Sequence, residues 1–117
     1  MDVQRDTLFL LKPDFVDPAY PGQRFYCWHC ALLEGVLASF PEALKRLDVV
    51  RIAWPRPRRE VVALIGEENQ SLPVLILGGD TSNVRRVSRH GPIAFVNNKD
   101  SILDALSVRY GIASPHP

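Results

Sequence analysis

Cys27-Trp28-His29-Cys30, running on into Ala31-Leu32-Leu33, is the stretch on which the reading of this chain turns. Its two cysteines are the only two in the sequence, and they stand three apart where a loop gives way to helical periodicity. A sulfur at a helix start meets the positive end of the helix dipole, which favours thiolate over thiol. A second sulfur about one turn further in can attack a mixed disulfide on the first and resolve it. On this ground Cys27 is the expected nucleophile and Cys30 the expected resolving thiol.

Upstream, the apolar run Thr7–Leu11 stops at Lys12-Pro13 and reads as a first, buried strand. Lys12–Tyr26 mixes Pro13, Pro18, Pro21 and Gly22 with aromatics and reads as a loop. Downstream, Leu32, Leu33, Val36, Leu37 and Phe40 make one apolar helical face. Pro41 ends this helix and opens a short second piece with Ala43, Leu44 and Leu47. Val49–Ala53 is a second strand, followed by the Trp54-Pro55-Arg56-Pro57 loop. Pro57 is predicted to be a first helical residue, with Val61, Val62, Leu64 and Ile65 as the apolar face and Gly66 as the stop. Pro73–Leu77 is the third strand and Ile93–Val96 the fourth, with the polar stretch Thr81–Pro92 between them. A last helix begins near Asn98, carries Ile102, Leu103, Leu106 and Tyr110, and stops at Gly111.

The order β-α-β-α-β-β-α places the chain in the α/β class. Strands joined by a crossover helix run parallel, and the last two are expected to pair as a hairpin. A four-stranded mixed sheet with helices on both faces closes this order most simply. The 117 residues fit one domain, 1–117, and apolar residues at 46% with charged ones at 23% are ordinary globular usage. A net charge of +1 gives no reason to expect nucleic acid or an anionic membrane as partner. Leu8–Leu11 is too short for a signal-peptide core or a membrane span, so a soluble, cytoplasmic protein is expected.

Cys-x-x-Cys opening the first helix of this order resembles the thioredoxin superfamily. Ser71-Leu72-Pro73-Val74 carries the resemblance further, because family members place a cis-proline at the start of the third strand, facing the cysteine pair. The resemblance implies a cis bond before Pro73 and a Leu72 backbone able to pair with an extended peptide or glutathione. Asn97-Asn98-Lys99-Asp100-Ser101-Ile102-Leu103 is similar to the last helix of the thioredoxin-like half of glutathione transferases. That likeness implies that Asp100 and Ser101, with the helix N-terminus, hold the γ-glutamyl end of glutathione. Arg56, Arg58 and Arg59 follow the second strand, where glutathione-using relatives often place a cation for a substrate carboxylate, and Arg56 is the one expected to bind it. More narrowly, Pro21–Cys30 is similar to a small bacterial thioredoxin-like family known only as a domain of unknown function. Trp28-His29 departs from the Gly-Pro of thioredoxins and the Pro-Tyr of many glutaredoxins, and the loop Lys12–Tyr26 is longer than in either.

His29 beside Cys30 would supply a cation or donor that stabilises the Cys27 thiolate and so the reduced form. Trp28 is expected to pack beside the pair and flatten the substrate surface. Tyr20, Phe25 and Tyr26 join it as an apolar lip. The expected function is a thiol–disulfide oxidoreductase acting on a disulfide-containing protein or glutathione, with no required cofactor. A redox-inactive module that binds a peptide, a glutathione conjugate or a partner protein is the alternative. A shared metal or iron–sulfur site is the third reading; His29, His90 and His116 show no ligand spacing, so the missing ligands would come from a second molecule.

Overall fold

Leu8-Phe9-Leu10-Leu11 is apolar on both faces, as a strand covered on both sides must be. Leu8 and Leu10 enter one core and Phe9 the other. The computed structural model describes residues 5–117, so residues 1–4 of the domain expected over 1–117 lie outside the described residues. Along the chain run β1 (Asp6–Leu11), β2 (Phe15–Val16), β3 (Arg24–Phe25), α1 (Trp28–Ser39), β4 (Leu47–Ile52), α2 (Arg59–Ile65), β5 (Val74–Leu77), β6 (Ser88–His90), β7 (Ile93–Val96) and α3 (Lys99–Tyr110). The molecule is mixed α/β.

β1 pairs in parallel with β4, from Asp6 opposite Leu47 to Leu11 opposite Ile52. On its other side it pairs antiparallel with β5, Leu8 opposite Leu75. β5 pairs antiparallel with β7, and β7 with the edge strand β6, giving the order β4-β1-β5-β7-β6. The sheet therefore has five strands among the described residues, where the periodicity predicts four. The added strand lies inside the stretch Thr81–Pro92. Its residues Ser88, Arg89 and His90 are all exposed, so no apolar alternation marks it. β6 and β7 turn through Gly91-Pro92, and Gly91 takes a positive φ of 56° there.

The two faces are covered unequally. Leu33 and Leu37 of α1, with Ile102, Ala105 and Leu106 of α3, pack over Leu8, Leu10, Leu75, Leu77 and Val96. Val61 and Ile65 of α2 cover Phe9, Val74, Ile76, Ile93 and Phe95 on the opposite face. Truncating a fully buried leucine such as Leu10 or Leu33 to alanine costs about 2–5 kcal/mol.

Several boundaries differ from those predicted. β4 begins at Leu47, so this leucine belongs to the strand and not to the piece after Pro41, which is a 3-10 turn over Pro41–Lys45. α2 begins at Arg59, with Arg58 at its N-cap, and Pro57, cis to Arg56, stays in the loop before it. The buried side of α1 is Cys30, Leu33 and Leu37, while Leu32 and Phe40 stay exposed. Gly66 and Gly111 stop α2 and α3 as predicted, both at positive φ.

Candidate functional site

Cys27 occupies the N-cap of α1, with the extended backbone (φ −78°, ψ 114°) that this position requires. Its sulfur does the work usually given to a serine or aspartate oxygen. Cys27 Sγ accepts the backbone N–H of Cys30 at 3.2 Å. Cys30 is 2% exposed, and its Sγ accepts the backbone N–H of Leu11, the last residue of β1, at 3.4 Å. The nucleophile candidate thus sits half-buried at the surface, with the second sulfur behind it. Both are free thiols.

The electrostatics separate the two sulfurs. The Cys30 thiol donates to Cys27 and draws the Cys27 pKa down to about 6. The backbone N–H groups of Cys30 and His29 and the charge of Arg58 act in the same direction, and burial opposes them. The same sulfur–sulfur hydrogen bond, followed by burial, pushes Cys30 well above the ordinary thiol range. Deprotonation of the pair therefore leaves the charge on Cys27.

The sequence offers Arg56, Arg58 and Arg59 together as candidate cations, with Arg56 preferred among them. Arg56 is exposed, whereas Arg58 is 5% exposed. Its guanidinium donates to the Trp54 carbonyl at 2.7 and 3.0 Å and to the Gln70 carbonyl at 2.6 Å, and its backbone N–H donates to Gln70 Oε1 at 2.8 Å. Burial lowers the pKa of Arg58, the charge of Arg56 adds to this, and the two thiols oppose it. Its hydrogen bonds spend donors on neutral carbonyls, so its charge stays available to the thiolate.

The remaining expected residues are divided between two places. The His29 ring lies 3.9 Å from the Trp28 ring, centroid to centroid, and the His29 backbone N–H is among the groups that lower the Cys27 pKa. Trp28 is 66% exposed, and Lys99 Nζ stands 5.8 Å from its ring centroid, which brings the start of α3 beside the cysteine pair. At that start, Asn98 is the cap. Its Oδ1 accepts the Ser101 N–H at 2.8 Å, and Asp100 is exposed and paired with Lys99 at 3.3 Å. Ser101 is buried and its Oγ has no partner. The Leu72–Pro73 bond is cis, as the sequence leads one to expect. Pro73 is buried and Leu72 packs half-buried against both cores.

The segment Lys12–Tyr26 is a built structure and not the plain loop that was expected. β2 and β3 form a hairpin in which Phe15 opposes Phe25. Phe15 stacks on Trp54 at 5.7 Å with the rings within 10° of parallel, and Tyr20 packs edge-on to Phe25 at 5.7 Å. Between this hairpin and α1 lies a cavity of about 640 Å³, and both Cys27 and Cys30 line it. The proline-rich composition hid the hairpin, since two-residue strands show no alternation.

A family model described as "Protein of unknown function (DUF3088)" matches residues 5–114. The chain belongs to this family. No curated protein and no solved structure matches it. Among the described residues, no three His, Cys, Asp or Glu side chains come together to hold a metal ion, and no helix is long and apolar enough to cross a membrane.

Proposed function

We propose that this chain is a thiol–disulfide oxidoreductase of thioredoxin-like fold. The observation that carries the reading is the pairing of an exposed-side sulfur at a helix N-cap with a buried sulfur behind it. Support for the fold comes from the run β4-β1-β5-β7, parallel then antiparallel, with α1 and α3 on one face and α2 on the other. The added strand β6 only extends its edge.

Cys27, as thiolate, attacks one sulfur of a substrate disulfide. The substrate S–S bond breaks, one thiolate leaves and takes a proton from solvent, and a mixed disulfide forms on Cys27. Cys30 then loses its proton and attacks Cys27 Sγ, which expels the second substrate thiol with that proton. Two electrons pass from the Cys pair to the substrate, and the Cys27–Cys30 disulfide remains. No cofactor takes part. The helix N–H groups and Arg58 stabilise the thiolate and hence the reduced form, which makes the couple more oxidising.

The test is trapping. Cys30→Ser should retain a stable mixed disulfide on Cys27, seen by mass, whereas the wild type should release the substrate thiol and close its own disulfide. The couple should lie between roughly −270 and −120 mV. Failure of Cys27 to form any adduct would end the proposal.

A further inference from the structure

The charged side chains that line the cavity beside the cysteine pair, Cys27 apart, are already paired. At its rim, Asp14 is held by the fork of Arg24, with Nη2 to Oδ2 at 2.6 Å. Glu34, the other carboxylate lining it, takes both Nε and Nη2 of Arg51, at 2.7 and 2.6 Å. These arginines hold both carboxylates below their ordinary pKa, so the pairs persist as ions over the neutral range. The deep end is Leu11 and Cys30, both buried, and Phe25, Tyr26 and Ala31 line the sides. An anionic ligand entering here would lose hydration and meet the Cys27 thiolate and an Arg24 already paired with Asp14. The volume of about 640 Å³ matches a pocket for one small molecule.

We infer that this cavity, under the β2–β3 hairpin, is the substrate site, and that its substrate is a neutral, largely apolar disulfide of low molecular weight. The inference rests on the oxidoreductase reading above. It selects against glutathione disulfide, whose carboxylates would enter with no free cation to meet them. The bonds made and broken are those already described, with the two substrate thiols leaving as neutral, apolar products. The reduced Cys pair is the electron donor, and an external dithiol restores it.

The experiment uses the reduced chain of residues 1–117 and compares three disulfide probes under single-turnover conditions. These are neutral dithiodipyridine, dianionic dithiobis(nitrobenzoate) and glutathione disulfide. Each rate is divided by that of free mercaptoethanol thiolate with the same probe, which removes the probe's own reactivity. The normalised rate for dithiodipyridine should exceed those of the two anionic probes by at least about tenfold, one decade being the step that about 1.4 kcal/mol of differential binding gives. Ala31→Phe, at an exposed helix position lining the cavity, should lower the dithiodipyridine rate about tenfold after division by the variant's own iodoacetamide rate. Arg24→Ala, which frees the Asp14 carboxylate, should raise the rate with dicationic cystamine several-fold. Iodoacetamide alkylation of Cys27 against pH is the separate check on the underlying reading. No lowered inflection there would overturn that reading and this inference together. A lowered inflection with equal normalised rates for neutral and anionic probes, or with no effect of Ala31→Phe, would overturn the cavity alone.

Discussion

Strand β1 carries buried polar chemistry at both of its ends, and the two ends are finished differently. At its start, the Asp6 carboxylate is 3% exposed and fully engaged. It accepts from Arg109 Nε and Nη2 at 2.7 and 2.9 Å, from Tyr110 Oη at 2.5 Å and from the Gly78 N–H at 2.7 Å. Arg109 in turn donates to the Gly78 and Asp80 carbonyls. At its other end, the Leu11 N–H meets a sulfur, and the second sulfur in front of it stays half-buried and partly open to solvent. A polar group that the chain saturates serves as a clamp, here tying the first strand to the last helix. One whose charge is stabilised by amides and left accessible is a reagent.

Removing the clamp should have the largest effect. Asp6→Ala strands Arg109 and Tyr110 and should cost about 3–5 kcal/mol in urea unfolding, as loss of one partner of a buried pair does. The pH inflection of Cys27 alkylation should not move. If it does, the two ends of β1 are one network and the contrast fails.

The open end should show itself as reactivity. At pH 7 a pKa of about 6 leaves Cys27 about 90% thiolate, against about 3% for an ordinary thiol near 8.5. Its thiolate fraction is thus about thirtyfold higher, and Cys27→Ser should abolish labelling of the native protein, since Cys30 is buried and held as thiol. The sign for stability follows from the depressed pKa. The stabilisation from the Cys27 thiolate is fully present above the unfolded thiol's pKa and is lost as pH falls through about 6. Stability of the reduced wild type measured against that of Cys27→Ser over this range checks it. Equal slopes would mean that the thiolate contributes nothing to the fold.

The smallest effect sharpens the role of Arg58, which belongs partly to each kind of site. Arg58→Met should raise the Cys27 inflection and slow alkylation at pH 6 about two- to threefold. It should also cost about 1–3 kcal/mol through the orphaned Trp54 and Gln70 carbonyls. Arg58→Lys keeps the charge but loses the fork, so the stability should fall while the inflection holds. If both variants leave the inflection in place, Arg58 is a clamp only.

Short-range patterns carried the parts of this molecule that could be read directly. The β1 run, the helix after Cys27, the stops at Gly66 and Gly111 and the α/β order all depend on residues within about a turn or a strand of one another, whereas the cis bond at Pro73 was expected from the family resemblance alone. The asymmetry of the two cysteines follows equally from position, because a helix N-cap and a residue one turn in differ by geometry alone. Other features have no local signature. Asp6 meets Arg109 across 103 positions, β6 is a strand only because β7 offers it an edge, and the hairpin of Phe15 and Phe25 is held by Trp54, which lies beyond α1 and β4. Likewise, three arginines stand close together after β4, and only the packing of the Trp54 and Gln70 carbonyls around one of them decides that Arg58, not Arg56, is buried near the sulfurs. Sequence determined which chemical groups stand at a helix start, since backbone geometry places them there at short range. Tertiary structure decided which charges are matched, which are left free and where a cavity opens, because burial and pairing depend on neighbours that the chain brings together only when it folds.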